Sequence, residues 1–212
     1  MKVIGCLGKK VRMTQIIGEV GGRKGESIPV TVIWAGENVV SKINRSELEG
    51  YDSFQVAFED CLDRNLNKPR LGHLKKNNIP PKRHLKEIKD LSNAGLVGSS
   101  LDLSLFIPGK RLKITSVTKG KGFSGVIKKY HFSRGRMSHG AGYPHRQIGS
   151  LCFGRGDGQK IIKGKKMPGQ MGNKKVTKMT LIEKVDIEKK FIFVRGAVPG
   201  PRNGLTILKQ VI

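Results

Sequence analysis

The stretch V-D-I-E-K-K-F-I-F-V, residues 185–194, decides the fold class of this chain. Its two ends are short runs rich in β-branched and aromatic residues, separated by a polar Glu188-Lys189-Lys190 turn. Strand-forming residues on both sides of a short polar turn are typical of a β-hairpin. The stretch therefore predicts two adjacent antiparallel strands.

Further strand signals precede and follow this hairpin. Residues 28–34 are mainly β-branched and apolar, and residues 111–115 alternate between polar and apolar with the period of a half-buried strand. A last strand is predicted over 204–208, after the turn-rich V-P-G-P at 198–201. Short strands separated by Gly and Pro predict a mainly β fold built around one antiparallel barrel.

Residues of about 60–108 do not continue this pattern, and we predict that they form a small α/β insertion. The segment begins polar and basic, contains Pro69, Pro80 and Pro81, and predicts a short helix around Arg83–Leu91. The barrel domain is therefore expected to comprise residues 1–118 and 179–212, interrupted by the insertion.

The charge of the chain indicates its class of partner. Its 212 residues include 41 Lys and Arg but only 16 Asp and Glu, a net charge of +25. Such a surplus requires a polyanion, and nucleic acid is favoured because phosphate contacts release condensed counterions. We predict no membrane association, since the sequence has neither a long apolar run nor a basic amphipathic helix.

The cysteines predict an intracellular protein without disulfides or zinc. Cys6, Cys61 and Cys152 are odd in number, far apart and lack a Cys-x-x-Cys pair. The sequence M-K-V-I-G-C-L-G-K-K-V-R-M at 1–13 also lacks the apolar stretch of a secretory signal.

Residues 119–178 form the most basic segment. Its fifteen Lys and Arg face one acidic residue, Asp157, so the net charge is +14, and it holds thirteen of the 28 glycines. So long a Gly-rich segment cannot fold on a core of its own, and is either functional or disordered. We expect a long irregular extension that becomes ordered when its charges pair with RNA phosphates.

Motifs in this segment favour RNA binding over catalysis. Residues 120–125, G-K-G-F-S-G, match a dinucleotide-binding pattern, but no acidic residue follows at the required distance and no βαβ pattern surrounds it. The glycines instead permit close approach to a sugar–phosphate backbone. His131, His139 and His145 lack the spacing of a metal site and suit base contacts better. We predict no catalytic or metal-binding residue and no cofactor.

Two other classes of protein remain open at this point. An RNA-modifying enzyme would require a carboxylate in the basic segment, where only Asp157 is available. A DNA-compacting protein of the nucleoid would fit the charge, but not one long Gly-rich extension on a barrel.

Several motifs, in order and spread along the chain, resemble the bacterial-type family of large-subunit ribosomal protein three, the "L three" proteins. Two positions depart from the family pattern: Arg12 stands where Gly is usual, and Phe153 stands where some members have a methylated Gln. The motifs that carry the resemblance are G-K-K-V-R-M-T-Q at 8–15, I-P-V-T-V-I at 28–33, V-T-K-G-K-G-F-S-G at 117–125, S-H-G at 138–140, H-R at 145–146, G-S at 149–150, K-G-K-K-M-P-G-Q-M-G at 163–172 and V-R-G-A-V-P-G at 194–200.

The resemblance implies a six-stranded barrel of the type shared with translation factors, and an extension that threads through large-subunit ribosomal RNA toward the peptidyl transferase centre. It implies a structural protein of the ribosome, in the cytoplasm of a bacterium or in an organelle, that promotes assembly and contacts neighbouring ribosomal proteins. Neither an enzymatic activity nor a small-molecule substrate is expected. The predicted RNA-binding residues are Lys119, Lys121, Gly122, Phe123, Lys128, Lys129, Arg134, Arg136, His139, His145, Arg146, Arg155, Lys163, Lys165, Lys166, Gln170, Lys174 and Lys175.

Overall fold

A computed structural model describes residues 3–20, 23–89, 96–143, 145–151 and 161–211. The fold is mainly β and its sheets are antiparallel, which confirms the predicted class. No helix in the described ranges is long and apolar enough to cross a membrane. The chain forms two compact units: Met1–Val117 together with Lys175–Ile212 (the barrel unit), and Thr118–Lys174 (the central unit).

The barrel unit contains nine strands and two α-helices, and the central unit contains two short strands and one short helix, in the described residues. The elements of the barrel unit are β1 (Val3–Val20), β2 (Arg23–Trp34), β3 (Asn38–Asn44), α1 (Ser46–Glu49), β4 (Ser53–Asp60), α2 (Lys68–Lys76), β5 (Lys82–Lys89), β6 (Arg111–Val117), β9 (Lys175–Asp186), β10 (Phe191–Arg195) and β11 (Leu205–Val211). Those of the central unit are β7 (Phe123–Ser124), α3 (Val126–Tyr130) and β8 (Gly169–Gln170). Single 3-10 turns cover Asp63–Asn65 and Leu103–Leu105.

Six strands of the barrel unit form one closed sheet. They pair in the order β1-β11-β6-β9-β10-β2, and β1 also pairs with β2, so that the sheet closes on itself. The period-two pattern of β6 has the expected effect, because Leu112 and Ile114 are fully buried while Lys113 is exposed. Each buried aliphatic side chain of this kind stabilises the fold by about 1.5–3 kcal/mol. Loss of either side chain would leave a cavity in the barrel core.

The hairpin predicted at residues 185–194 is present. Phe191 pairs with Asp186 and Ile192 with Val185, which confirms β9 and β10 as neighbours. Lys190 in the turn adopts φ 57°, and the Lys189 amide donates to Asp186 Oδ1 over 3.0 Å. The strands predicted at 28–34 and 111–115 are also confirmed as parts of β2 and β6, and the strand predicted at 204–208 is confirmed as β11, which begins one residue later, at Leu205.

A second, three-stranded sheet packs on the barrel. Its order is β3-β4-β5, so it begins at Asn38, earlier than the insertion predicted from about residue 60. Phe54 and Phe58 of β4 are fully buried in one cluster with Leu7 of the barrel strand β1. The other side of the sheet holds Ala57, which packs with Leu74 of α2.

The prediction of a helix around Arg83–Leu91 is wrong. Residues 82–89 form strand β5, and Leu91 lies outside the described residues. Leu85 and Ile88 lie three residues apart in this strand, and their side chains point to opposite sides of the sheet, toward α2 and toward the barrel. The helix of this region is α2 instead, and its Pro69 lies in the first turn, where a missing N–H costs nothing.

Asn38 joins the second sheet to the barrel. Its side chain is buried, its Oδ1 accepts from the Leu7 amide (2.9 Å), and its Nδ2 donates to the carbonyls of Leu7 (3.0 Å) and Ala35. Strand β1 pairs with β2 only from Lys9 onward. The amide group of Asn38 therefore replaces a strand neighbour where β1 would otherwise leave buried backbone groups unpaired.

Candidate RNA-binding surface

A short antiparallel ladder forms the base of the central unit. The Lys121 amide donates to the Met171 carbonyl (2.8 Å), and the Met171 amide donates to the Gly122 carbonyl (2.9 Å). The Thr118 amide likewise donates to the Lys174 carbonyl over 2.9 Å. Strands β7 and β8 extend this pairing through Phe123 opposite Gln170 and Ser124 opposite Gly169. The ladder brings together predicted RNA-binding residues that are about fifty positions apart in the sequence.

Gly172 is required by the close approach of the two sides of this ladder. Its φ is +77°, and a Cβ added there would lie 2.1 Å from the carbonyl oxygen of Lys119. Gly122 also has a positive φ, +64°, but a Cβ there would meet nothing within 4 Å. Gly172 is therefore required both for its positive φ and for the space beside Lys119, whereas Gly122 is required for its positive φ alone.

The ring of Tyr130 lies close to the ammonium groups of two predicted RNA-binding lysines. Lys129 Nζ lies 5.1 Å from the centroid of the Tyr130 ring, and Lys166 Nζ lies 5.8 Å from it. The ring centroids of Tyr130 and Phe132 are 6.3 Å apart. Both ammonium groups are within cation–π range, although no carboxylate of the described residues neutralises them. The sequence alone gave no signal for the meeting of Lys166 with Tyr130.

A compact turn orders His145. Its backbone carbonyl accepts from the Gly135 amide (3.1 Å), and its Nδ1 lies 2.8 Å from the Arg136 carbonyl oxygen. Because a carbonyl can only accept, Nδ1 carries the proton and donates, which leaves Nε2 for an outside partner. A shallow cavity of about 530 Å³ adjoins this turn, and its lining includes Phe132, Arg134 and Gln147.

The electrostatics of the central unit are those of a surface without internal neutralisation. Its described residues carry eleven Lys and Arg and no Asp or Glu, and none of these cations makes an ion pair within the described part of the chain. Nine of the eleven side chains are exposed, and only Lys129 and Lys165 are half-buried. Exposed rings lie among them, with Phe123 at 72% and Tyr143 at 90% exposure.

The predicted site residues do not all fall in one place. The described members are in the central unit, except Lys175, which is the first residue of the barrel strand β9. His139 is exposed with φ 61°, and no described contact joins it to His131 or His145. Arg155 lies outside the described residues, as do Asp157 and the rest of 152–160. Among the described residues, no group of three or more His, Cys, Asp or Glu could hold a metal ion.

Exposed cations without carboxylate partners, interleaved with exposed aromatic rings, define a nucleic-acid-binding class of protein. The particular family follows from similarity to known proteins. Residues 102–186 match the family model "Ribosomal protein L3". The chain is 42% identical over 207 residues to the large ribosomal subunit protein uL3 of Ureaplasma urealyticum, covering 96% of this chain and 86% of the relative.

Two further relatives are matched over nearly their whole length. The uL3 protein of Geobacillus stearothermophilus is 42% identical over 210 residues (98% of this chain, 95% of the relative). That of Acholeplasma laidlawii is 45% identical over 214 residues (98% and 97%). This chain belongs to the ribosomal protein L3 family, as its motifs predicted. The family consists of structural ribosomal components, which confirms the prediction that the chain is not an enzyme.

Proposed function

We propose that this protein is a structural constituent of the large ribosomal subunit that binds large-subunit ribosomal RNA through residues 119–175. The observation that carries the proposal is the central unit, where the described residues supply eleven cations and no carboxylate. Such charges repel one another until phosphates lie between them. RNA is therefore the partner that both stabilises this unit and is held by it.

The proposed residues divide by chemistry. Lys119, Lys121, Lys128, Lys163 and Lys174 are exposed and pair with phosphates, which positions the protein without reading sequence. Phe123 of β7 is 72% exposed and provides a platform on which an unpaired base stacks. Recognition rests mainly on RNA shape and backbone. The remaining proposed contacts are Gly122, Lys129, Arg134, Arg136, His139, His145, Arg146, Arg155, Lys165, Lys166, Gln170 and Lys175.

Residues 119–178 form the extension in this proposal, with barrel residues 1–118 and 179–212 as its base. The extension runs through ribosomal RNA toward the peptidyl transferase centre, and the barrel is of the translation-factor type. Binding starts assembly of the subunit and brings the protein against neighbouring ribosomal proteins in the cytoplasm. The six strands that close on themselves support the barrel assignment, and the family of the relatives supports the ribosomal location.

Sucrose-gradient sedimentation of cell lysate at about 0.5 M salt tests the proposal, because that salt strongly weakens purely electrostatic binding. We expect the protein to remain with the large subunit. A variant with Lys128→Gln, Lys163→Gln and Lys174→Gln should shift toward the top of the gradient. A control with the same loss of charge on the barrel unit, Lys113→Gln, Lys184→Gln and Lys189→Gln, should sediment like the wild type. A wild-type protein found only at the top would refute the ribosomal assignment.

A further inference from the structure

We propose that the outer surface of α2 is a second RNA-binding site, which holds a sugar–phosphate backbone over Gly72 between Lys68, Lys75 and Lys76. The inference rests on the proposed function, since it takes the same RNA as its ligand. Helix α2 packs on the second sheet. It lies outside both the basic segment at 119–178 and the residues matched by the family model.

The helix is held firmly from below. Leu74 is fully buried against Ala57 of the second sheet. His73 Nε2 lies 2.9 Å from Gln55 Oε1, and Asn77 Nδ2 donates to the Ser41 carbonyl over 2.7 Å. A helix fixed by one apolar and two polar contacts presents its opposite surface in a constant orientation.

That opposite surface is basic. Lys68, Gly72, Lys75 and Lys76 are spaced i, i+4, i+7 and i+8, which places them on one side of a helix, away from Leu74. All four are exposed. Lys68 and Lys76 are separated by about 12 Å along the helix axis, so a strand of nucleic acid can cross between them. The arrangement is two cationic ends with an open centre.

The charges of α2 are unfavourable for the helix by itself. The helix contains no acidic residue, and its first turn holds Lys68 and Arg70, where the helix macrodipole is already positive. Within the described residues, no ion pair relieves Lys68, Arg70, Lys75 or Lys76. An anionic ligand across the outer surface removes this repulsion, and a phosphate backbone has the charge spacing to contact several lysines together.

Gly72 indicates where the ligand lies. Glycine in the middle of a helix is destabilising, yet a Cβ at Gly72 would meet nothing within 4 Å, and its φ is not positive. The contrast is Gly8 of the barrel, where a Cβ would lie 2.7 Å from the Ile33 side chain. No contact among the described residues requires a glycine at 72. Its absent side chain instead leaves the helix backbone open to a close-packed RNA strand.

The charge component is tested with the full-length protein and transcribed large-subunit ribosomal RNA in filter-binding assays over a range of salt concentrations. The variant Lys68→Gln/Lys75→Gln/Lys76→Gln should make the slope of log K against log salt shallower by about 2 to 3, the loss of three phosphate contacts. The control Lys113→Gln/Lys184→Gln/Lys189→Gln loses the same charge from barrel strands and the β9–β10 turn and should leave the slope within about 0.5 of wild type. Equal effects of the two variants would overturn the site.

Contact of RNA at Gly72 is tested by a substitution that should stabilise the free protein and yet weaken RNA binding. Gly72→Gln should raise the melting temperature of the free protein by about 1–3 °C, because Gln is the better helix former. The same variant should weaken RNA binding by about fivefold or more, because its side chain fills the crossing point. Leu48→Gln on the exposed surface of α1 serves as the control and should not change binding. A higher melting temperature with unchanged affinity would refute contact at Gly72.

Failure of this inference is distinguishable from failure of the proposed function. If the wild-type protein does not bind the RNA, the proposed function falls. If the wild type binds, the Lys128/Lys163/Lys174 variant is weakened, and the α2 variants bind like wild type, only the second site falls. If the α2 variants bind RNA normally but fail to join assembled subunits, α2 contacts a protein and the inference is wrong.

Discussion

Substitution of Gly172 tests the ladder at the base of the central unit. Ala at 172 would have to adopt φ +77°, which costs about 1–2 kcal/mol for an L-residue. Its methyl group would also lie 2.1 Å from the Lys119 carbonyl oxygen, so the two backbone segments must separate. Separation breaks one or two of the adjacent hydrogen bonds, each worth about 0.5–1.5 kcal/mol. The total cost for Gly172→Ala is therefore about 2–4 kcal/mol.

Two matched glycines separate these contributions. Gly122 has φ +64° but open space around its Cβ, so Gly122→Ala should cost only the conformational part, about 1–2 kcal/mol. At Gly120 no positive φ is required, and a Cβ would make an ordinary 3.7 Å contact with Asn173. Gly120→Ala should therefore leave the ladder intact. The expected order of damage is Gly172, then Gly122, then Gly120.

Hydrogen exchange of the ladder amides measures the effect directly. In Gly172→Ala the amides of Thr118, Lys121 and Met171 should exchange about 30 to 900 times faster, the rate equivalent of 2–4 kcal/mol. Amides of the β2–β10 pairing, such as Ile192, should not change. If Gly172→Ala is no more damaging than Gly122→Ala, the contact with Lys119 yields freely and the reasoning from close approach is refuted. Ladder amides that are unprotected in the wild type would refute the pairing itself.

Three further predictions concern the barrel unit. Asn38→Ala leaves the backbone amide and carbonyl of Leu7 without their side-chain partners. In urea titration the free energy of unfolding should fall by about 2–4 kcal/mol. A loss below about 1 kcal/mol would show that these backbone groups of β1 find other partners. The Lys82 side chain is fully buried, and its Nζ lies 2.7 Å from Oδ1 of Asp60, which is 68% exposed. Lys82→Met keeps the packing and should change the free energy of unfolding by less than about 1.5 kcal/mol, whereas Lys82→Ala leaves a cavity and should cost about 2–4 kcal/mol. Equal losses of the two variants in thermal denaturation would mean that the ion pair matters more than packing. Desolvation lowers the pKa of His84 below its ordinary 6.5, although Glu59 opposes the shift. The unfolded chain therefore takes up protons more readily than the folded chain, and the free energy of unfolding should fall as the pH drops below about 6.5. NMR titration of His84 should give a midpoint below 6.5, and His84→Gln should remove this part of the pH dependence.

Local patterns were sufficient for much of the strand content. The alternation in residues 111–115 predicted which side of β6 is buried, and the polar turn before Phe191 predicted the β9–β10 hairpin. The same reasoning failed at 82–89, where Leu85 and Ile88 serve two different hydrophobic clusters. A strand whose few apolar side chains pack on opposite sides of its sheet shows no simple alternation, and so its pattern does not distinguish it from a helix.

The class of partner and the fold class could be predicted from residue order alone, because net charge and residue periodicity accumulate over neighbouring residues and need no knowledge of distant contacts. Three contacts could be seen only in the folded chain: Gly172 faces Lys119, Asn38 completes β1 beside Leu7, and Lys166 reaches Tyr130. The tertiary structure also decided that the lysines of α2 share one exposed surface around Gly72. Each of these relations depends on how elements far apart in the sequence pack. Packing is decided by the shape and polarity of the whole interior, which no local window of sequence contains.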